Sequence, residues 1–383
     1  MLNRCIRALR MYPLAIATLA LGLAAGSVGT GKAQDYEIWA LDQGTSQVHI
    51  FNSSLQEVAK IDMAAQGVRV PHMIDFTPDG AYAFIASTAS GDVTVIRTSD
   101  RSVADIIKTG PGTHMARVKP DGSAIIVAVI GDAKVPRDGK LVEITWDKAA
   151  GRYTQGRSLV VAEDPVFKAD EAKFKDVSPI CHDFSADGRY AYVTLGPMIH
   201  DGGLVILDAD SFKLTQVFGP QELRVNCGTA RTPDGKHMIL NGGDRDVGIW
   251  YVLEIGTNKV VKQESSRGDD AHGVWITSDG REIWMVNRVS SNGIVINTKT
   301  FDVVAELKDL GPTPDIVTMS PDGQFAFITT RGPNPVSAPH VAKGTTPGFA
   351  VVSIKDRKLM RIVQPAQGND KSDFHGIGVR SMK

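Results

Sequence analysis

The chain has 383 residues, is 42% hydrophobic and 22% charged, and carries a formal net charge of -1. That is enough apolar matter for a full-sized core, and three cysteines are too few for a disulfide scaffold. The balanced charge argues against a nucleic-acid binder, which needs a concentrated Lys/Arg surface to release counterions.

The first element is an address. Arg4, Arg7 and Arg10 precede an apolar run of about a dozen residues, short of the roughly twenty that a membrane span requires. Gly31-Lys32-Ala33 then leads into Gln34, and no cysteine follows the apolar run to take a lipid. A basic head, a short apolar stretch and a small-residue site predict a secretory signal peptide over residues 1–33. The expected protein is periplasmic, with one domain over residues 34–383 and no membrane insertion after cleavage.

Behind the signal the chain repeats. Asp-Gly turns recur at Asp79, Asp121, Asp187, Asp234, Asp279 and Asp322, with spacings of 42, 66, 47, 45 and 43 residues. Such a period belongs to propeller blades or to helical repeats. The unit from His272 decides between them. Its β-branched and aromatic runs, Glu282-Ile-Trp-Met-Val-Asn among them, are separated by Asp-Gly and Asn-Gly turns, which are hairpin signals. No apolar stripe with the 3.6-residue period is long enough for a substantial helix. Four short strands per unit predict an all-β fold, a seven-bladed β-propeller of four-stranded blades.

Six blades carry the Asp-Gly turn. The seventh is assembled from both ends: an innermost strand, Phe374-His375-Gly-Ile-Gly-Val379, joins N-terminal outer strands beginning at Tyr36. Closing the ring this way removes open sheet edges. The 66-residue spacing implies an inserted polar loop near residues 162–177 with room for one helical turn. A second long loop spans residues 331–348. Both read most simply as solvated surface excursions.

Three units, Pro71–Gly80, His182–Thr194 and Pro321–Thr329, resemble those of YVTN-repeat seven-bladed propellers, and the likeness extends over essentially the whole mature chain. It implies a fold rather than one function. Similar propellers include periplasmic binding proteins, lactonase-type enzymes, the methylamine dehydrogenase heavy chain and the propeller of nitrous oxide reductase; the eight-bladed propeller of cytochrome cd1 is a more distant likeness. This sequence has no Cys-x-x-Cys-His for a c-type haem, and with few residues after the last strand it is not expected to carry a cupredoxin domain, which disfavours a self-contained electron-transfer enzyme.

Seven residues before each turn Asp stand His72, His114, Ile180, Cys227, His272 and Asp315, and the same register gives His375 in blade seven. Blade three offers His182 two residues later, on the same face of a regular strand. These positions open the innermost strands, so His72, His114, His182, Cys227, His272, Asp315 and His375 are expected around one mouth of the tunnel. Imidazole, thiolate and carboxylate are ligands for zinc or copper, the only cofactors expected. The alternatives are an organic-ligand or acid–base role, or side chains that merely bond backbone groups of neighbouring blades. Clustered imidazoles should also resist protonation.

Away from the ring, His49, His200, His237 and His340 read as exposed or packed, and Trp250, Trp275 and Trp284 as core. Arg224, Arg288 and Arg331 could meet an anionic ligand at the mouth, or be solvated loop residues. Cys181 and Cys227 open neighbouring strands, so a disulfide is possible, but their registers differ by one residue and point them to opposite faces. There is no Gly-x-Ser-x-Gly, His-Glu-x-x-His, phosphate loop or EF-hand. The leading expectation is a monomeric periplasmic binding protein that holds a metal ion or small ligand at the tunnel mouth and meets another periplasmic protein. A metal-dependent enzyme, either a copper oxidoreductase or a lactonase-like hydrolase, is the alternative. A purely structural interaction module is the third reading.

Overall fold

Local turn chemistry sets the repeat. Thr77 Oγ1 donates to Asp79 at 2.6 Å, the Gly80 N–H closes the turn on Thr77 O at 2.7 Å, and Gly80 sits at φ +69°. Only glycine adopts that left-handed backbone without strain. The same hydroxyl–carboxylate clasp recurs at Ser185–Asp187, Thr232–Asp234, Thr277–Asp279 and Ser320–Asp322. In blade two Lys119 replaces the hydroxyl residue, and Ser123 bonds Asp121 from the other side.

The computed structural model describes residues 35–175 and 177–382. The segment expected to be a signal peptide, residues 1–33, lies outside them. The turns fold the chain into seven four-stranded antiparallel sheets. Blade five runs outward as Ala271–Ile276, Glu282–Asn287, Asn292–Asn297 and Val303–Leu307. In blade seven the C-terminal strand Phe374–Ser381 pairs with Tyr36–Asp42, followed by Gln47–Asn52 and Glu57–Asp62, so the ring closes as expected.

The core is divided in the same way. Seven hydrophobic clusters each join neighbouring blades, for example Trp39 with Ile85, Phe84 with Val127, and Trp284 with Ile328. The polar insertion is not a solvated excursion. Its α-helical turn, Pro165–Ala169, stands between two 3-10 turns, Val161–Glu163 and Glu171–Lys173, and is capped by the Asp164 carboxylate accepting from Val166 N; Phe167 and Phe174 bury in the cluster between blades two and three. Two aromatic anchors outweigh the charged residues around them.

Six of the seven innermost strands share an irregularity, blade four being regular. Pairing with the second strand shifts between Pro71 and Met73, Thr113 and Met115, Pro179 and His182, Ala271 and Val274, and Pro314 and Val317. The inner strand of blade seven shifts likewise opposite Ala40 and Asp42. A bulge sets two residues against one and re-aims their side chains. Here the bulges stand where the strands enter the tunnel.

Candidate functional site

At each bulge, successive residues go to different levels. His72, His114, Ile180, Asn226, His272 and His375 line a cavity of about 440 Å³ at the tunnel mouth. The residues that follow most of them, Met73, Met115, Cys181, Cys227 and Gly273, line a chamber of about 100 Å³ together with Ile316, which follows Asp315. His272 reaches both.

The mouth imidazoles are in mutual contact. The rings of His72 and His375 stack with centroids 3.7 Å apart, His114 meets His72 at 4.4 Å, and His272 meets His375 at 5.7 Å. Three of them have one nitrogen already committed. His114 Nδ1 lies 2.9 Å from Ile180 O, and His375 Nδ1 lies 3.0 Å from His72 O. His72 Nδ1 lies 2.9 Å from Gln43 Oε1, and the amide of Gln43 is oriented because its Nε2 donates to Asp373. All three acceptors are oxygens, so each Nδ1 carries the hydrogen and each neutral ring presents a lone pair at Nε2. The Nε2 atoms of His72 and His114 face one another at 3.0 Å. Two lone pairs at that distance repel unless a proton or a cation lies between them.

Asp315 anchors the other side. Arg331 donates to it at 2.6 Å, and Arg288 approaches to 3.5 Å. Arg331 also holds Asp373, and Arg288 holds Asp270. All five groups are buried. Three carboxylates against two guanidinium groups leave one excess negative charge in a low-dielectric site. Burial would raise the Asp315 carboxyl, but His272, His375, Arg288 and Arg331 hold it well below the usual range. Burial also pushes His72 well below its ordinary value, helped by His375 and His114. His375 is lowered by burial too, against the opposing pull of Asp315. His72 and His375 therefore resist supplying the missing positive charge as protons.

His272 Nδ1 lies 2.6 Å from Asp315 Oδ1, but out of line for a hydrogen bond, so both buried atoms lack one. Ligand atoms of His272, Asp315 and His375 lie within 4.8 Å of one another. This donor set fits zinc or copper.

Five expected ring members, His72, His114, His272, Asp315 and His375, thus converge, whereas two do not. His182 lies beyond the bulge of its strand, in the register occupied by Ile74, Ala116, Val274 and Val317 in other blades. Its ring enters the wall between blades, with Nε2 3.1 Å from Ile126 O. Burial and Arg117 lower its pKa to about 3. Cys227 is displaced because blade four has one residue more between mouth and turn, Gly228, whose N–H bonds Asn241 Oδ1 at 2.7 Å. Asn226 takes the mouth position, and Cys227 drops to the level of Cys181. The two thiols therefore line the same chamber but are not joined.

Other expectations shift as well. The loop at 331–348 is no solvated excursion, since Val336–Val341 cover the mouth and Ser337 is held by Arg331 and Gln43. His340 sits on that rim, and His49 is buried against Phe374. Trp275 lines the chamber with Arg117 over its ring at 5.2 Å. Arg288 and Arg331 are ion-paired, whereas Arg224 is exposed. Reading the sequence missed Gln43, Asp270 and Asp373. A signal existed: Asp270-Ala-His272 and Asp373-Phe-His375 repeat one pattern, and Arg288 and Arg331 each follow their turn Asp by nine residues.

Neither a protein-family model nor a curated protein sequence matches the chain. Solved structures of the same fold include Kuenenia stuttgartiensis hydrazine synthase, at 15% identity and TM-score 0.60 over 85% of this chain and 95% of that one. Dihydro-heme d1 dehydrogenase NirN in complex with DHE aligns at 14% identity and TM-score 0.57, over 89% and 74% of the two chains. The β-propeller domain of Myceliophteria thermophila Cps50 (Swd1) aligns at 12% identity and TM-score 0.54, over 76% and 88%. At these identities the likeness establishes the propeller fold, which this chain shares with proteins of unrelated roles.

Proposed function

We propose that this is an exported, periplasmic binding propeller of the YVTN-repeat type whose tunnel mouth holds one zinc or copper ion. The observation that carries the reading is the pair of Nε2 lone pairs, on His72 and His114, 3.0 Å apart with both Nδ1 atoms committed to oxygen. Ring nitrogens that donate to a carbonyl or carboxylate are the usual orienting contacts of metal-bound histidines. The separation suits two ligands of one ion with metal–nitrogen bonds of about 2.0–2.1 Å. His272 and His375 stand ready to complete the set, while Asp315 supplies charge through its arginine network. The bound ion would act as a Lewis acid and as the counter-charge to the buried carboxylates. Another periplasmic protein is the partner this reading assigns to the outer face, with the propeller itself monomeric.

The test is metal content of the untagged mature protein before and after chelation, for wild type and His72→Gln/His114→Gln. The reading expects about one ion per chain in wild type and little in the variant. A metal-free wild type with no thermal shift on adding zinc or copper refutes it.

The size of the mouth favours a second reading. A cavity of about 440 Å³ exceeds what an ion needs and falls among small-molecule sites. A metal-dependent enzyme, oxidoreductase or lactonase-like, would leave one coordination position open and use His272 as acid–base partner. Four protein ligands in an X-ray absorption spectrum, together with no lactone turnover and no copper redox response, exclude it.

A further inference from the structure

The chamber beneath the ring has different chemistry. Its donors are two thioethers, Met73 and Met115, two thiols, Cys181 and Cys227, and the inner edge of His272, within about 100 Å³ of otherwise mostly apolar wall. Four blades contribute these sulfurs at one level, because each follows a mouth residue at a bulge or, for Cys227, because Gly228 lengthens the approach. Gly228 is held to this path, since a Cβ on it would stand 2.5 Å from His272 O.

We infer that the chamber is a second metal site, selective for monovalent copper, with Cys181 and Cys227 as the primary ligands and Met115 and Met73 as weaker ones. The inference goes beyond the mouth site and stands without it. Thioether and thiolate are soft donors that select Cu(I), whereas zinc takes thiolate, imidazole and carboxylate and wants four strong ligands. Among the described residues that line the chamber, Asp75 is the one carboxylate, and it lies toward Arg117. The cavity is large enough for an ion.

Both cysteines are free and buried. Binding forms two copper–sulfur bonds and breaks the two S–H bonds of Cys181 and Cys227. Both protons leave to solvent, and copper enters and stays as Cu(I), so no oxidant or reductant takes part.

The experiment is an anaerobic competition for Cu(I) between the reduced mature protein and bathocuproine disulfonate. Free thiols are counted in the same sample with a thiol reagent in denaturant. Wild type should show two free thiols and withdraw about one Cu(I) per chain from the probe. Cys181→Ser/Cys227→Ser should lose at least about a hundredfold in affinity, and Met115→Leu, which keeps volume and gives up the sulfur with its contact from His182 N–H, about tenfold. His72→Gln/His114→Gln should retain Cu(I) even where it loses the mouth ion, which separates failure of one site from failure of the other. Two free thiols with no Cu(I) uptake, a thiol pair that closes to a disulfide before copper is added, or a double-serine variant that binds like wild type each overturns the inference. Should the double variant not fold, Met115→Leu decides, because unchanged Cu(I) affinity there contradicts thioether ligation and so the proposed site.

Discussion

The mouth and the chamber are neighbours along one tunnel, built from adjacent residues of the same strands, yet they differ in size and in the donor atoms they present. The mouth is wide, nitrogen- and oxygen-rich, and crossed by Arg331 and Arg288 bound to buried carboxylates. The chamber is small, sulfur-lined and mostly apolar. A bulge separates them by redirecting consecutive side chains, His114 and Met115 for example. Two ligand environments therefore need no insertion, only a repeated local irregularity. The mouth is organised by two arginines on three carboxylates, whereas the chamber has one, Arg117 with Asp75 and Asp183, set among packed side chains, and that difference can be tested from each side.

The largest effect should come from cutting the charge network. Arg331→Met leaves Asp315 and Asp373 without their main counter-ion in a site with no exposure, and should cost about 3–5 kcal/mol. Urea unfolding measures it. A loss below about 1 kcal/mol, the range of a surface pair, would mean that the network does not organise the mouth.

Next comes the mouth ion. At a free concentration about a hundred times its Kd, a bound ion adds about 2.7 kcal/mol to stability. Chelation should remove that increment from wild type and from Cys181→Ser/Cys227→Ser, but not from His72→Gln/His114→Gln. Thermal melts with and without chelator check this, and an equal response in all three would merge the two sites.

His182 serves as a reference histidine outside both. Its folded pKa, about 3, lies below the unfolded reference of about 6.5, so the unfolded chain takes up the proton first on acidification. Its contribution is therefore complete above about pH 6.5 and falls with pH toward 3, by about 2 kcal/mol at pH 5. His182→Leu, which restores the apolar residue other blades have there, should flatten the acid limb of the stability curve by that amount. Denaturant titrations between about pH 5 and 7.5 report it, and an unchanged limb would mean that His182 is not sealed in the wall.

The smallest effect belongs to the loop over the mouth. Ser337→Ala removes hydroxyl contacts with Gln43 and Arg331 and should cost about 1 kcal/mol. Hydrogen exchange should quicken in residues 333–343 and leave the chamber strands unaffected. If protection falls equally at both levels, mouth and chamber are one cooperative unit.

Much of this molecule is legible in its sequence because the determinants are local. Asp-Gly turns at a fixed period, β-branched runs and a C-terminal strand without a hairpin specify blade number and closure, since turn geometry and side-chain alternation act within a few residues. The same register places His72, His114, His272, Asp315 and His375 at the tunnel entrance. The aim of side chains there is not local. Alternation predicts His182 on the ring, but the bulge before it returns the strand to regular pairing and gives it a core register. One additional residue, Gly228, lowers Cys227 beside Cys181, and a glycine in a loop does not announce a shifted register. Arg331 meets Asp373 across 42 residues, and Gln43 meets Asp373 across 330. Such pairs form only after the ring closes and excludes water, because an uncompensated buried charge is tolerable only where the tertiary structure supplies its partner. The sequence by itself determined the propeller and who stands at its tunnel; the closed ring decided which of them face one another, and at which level.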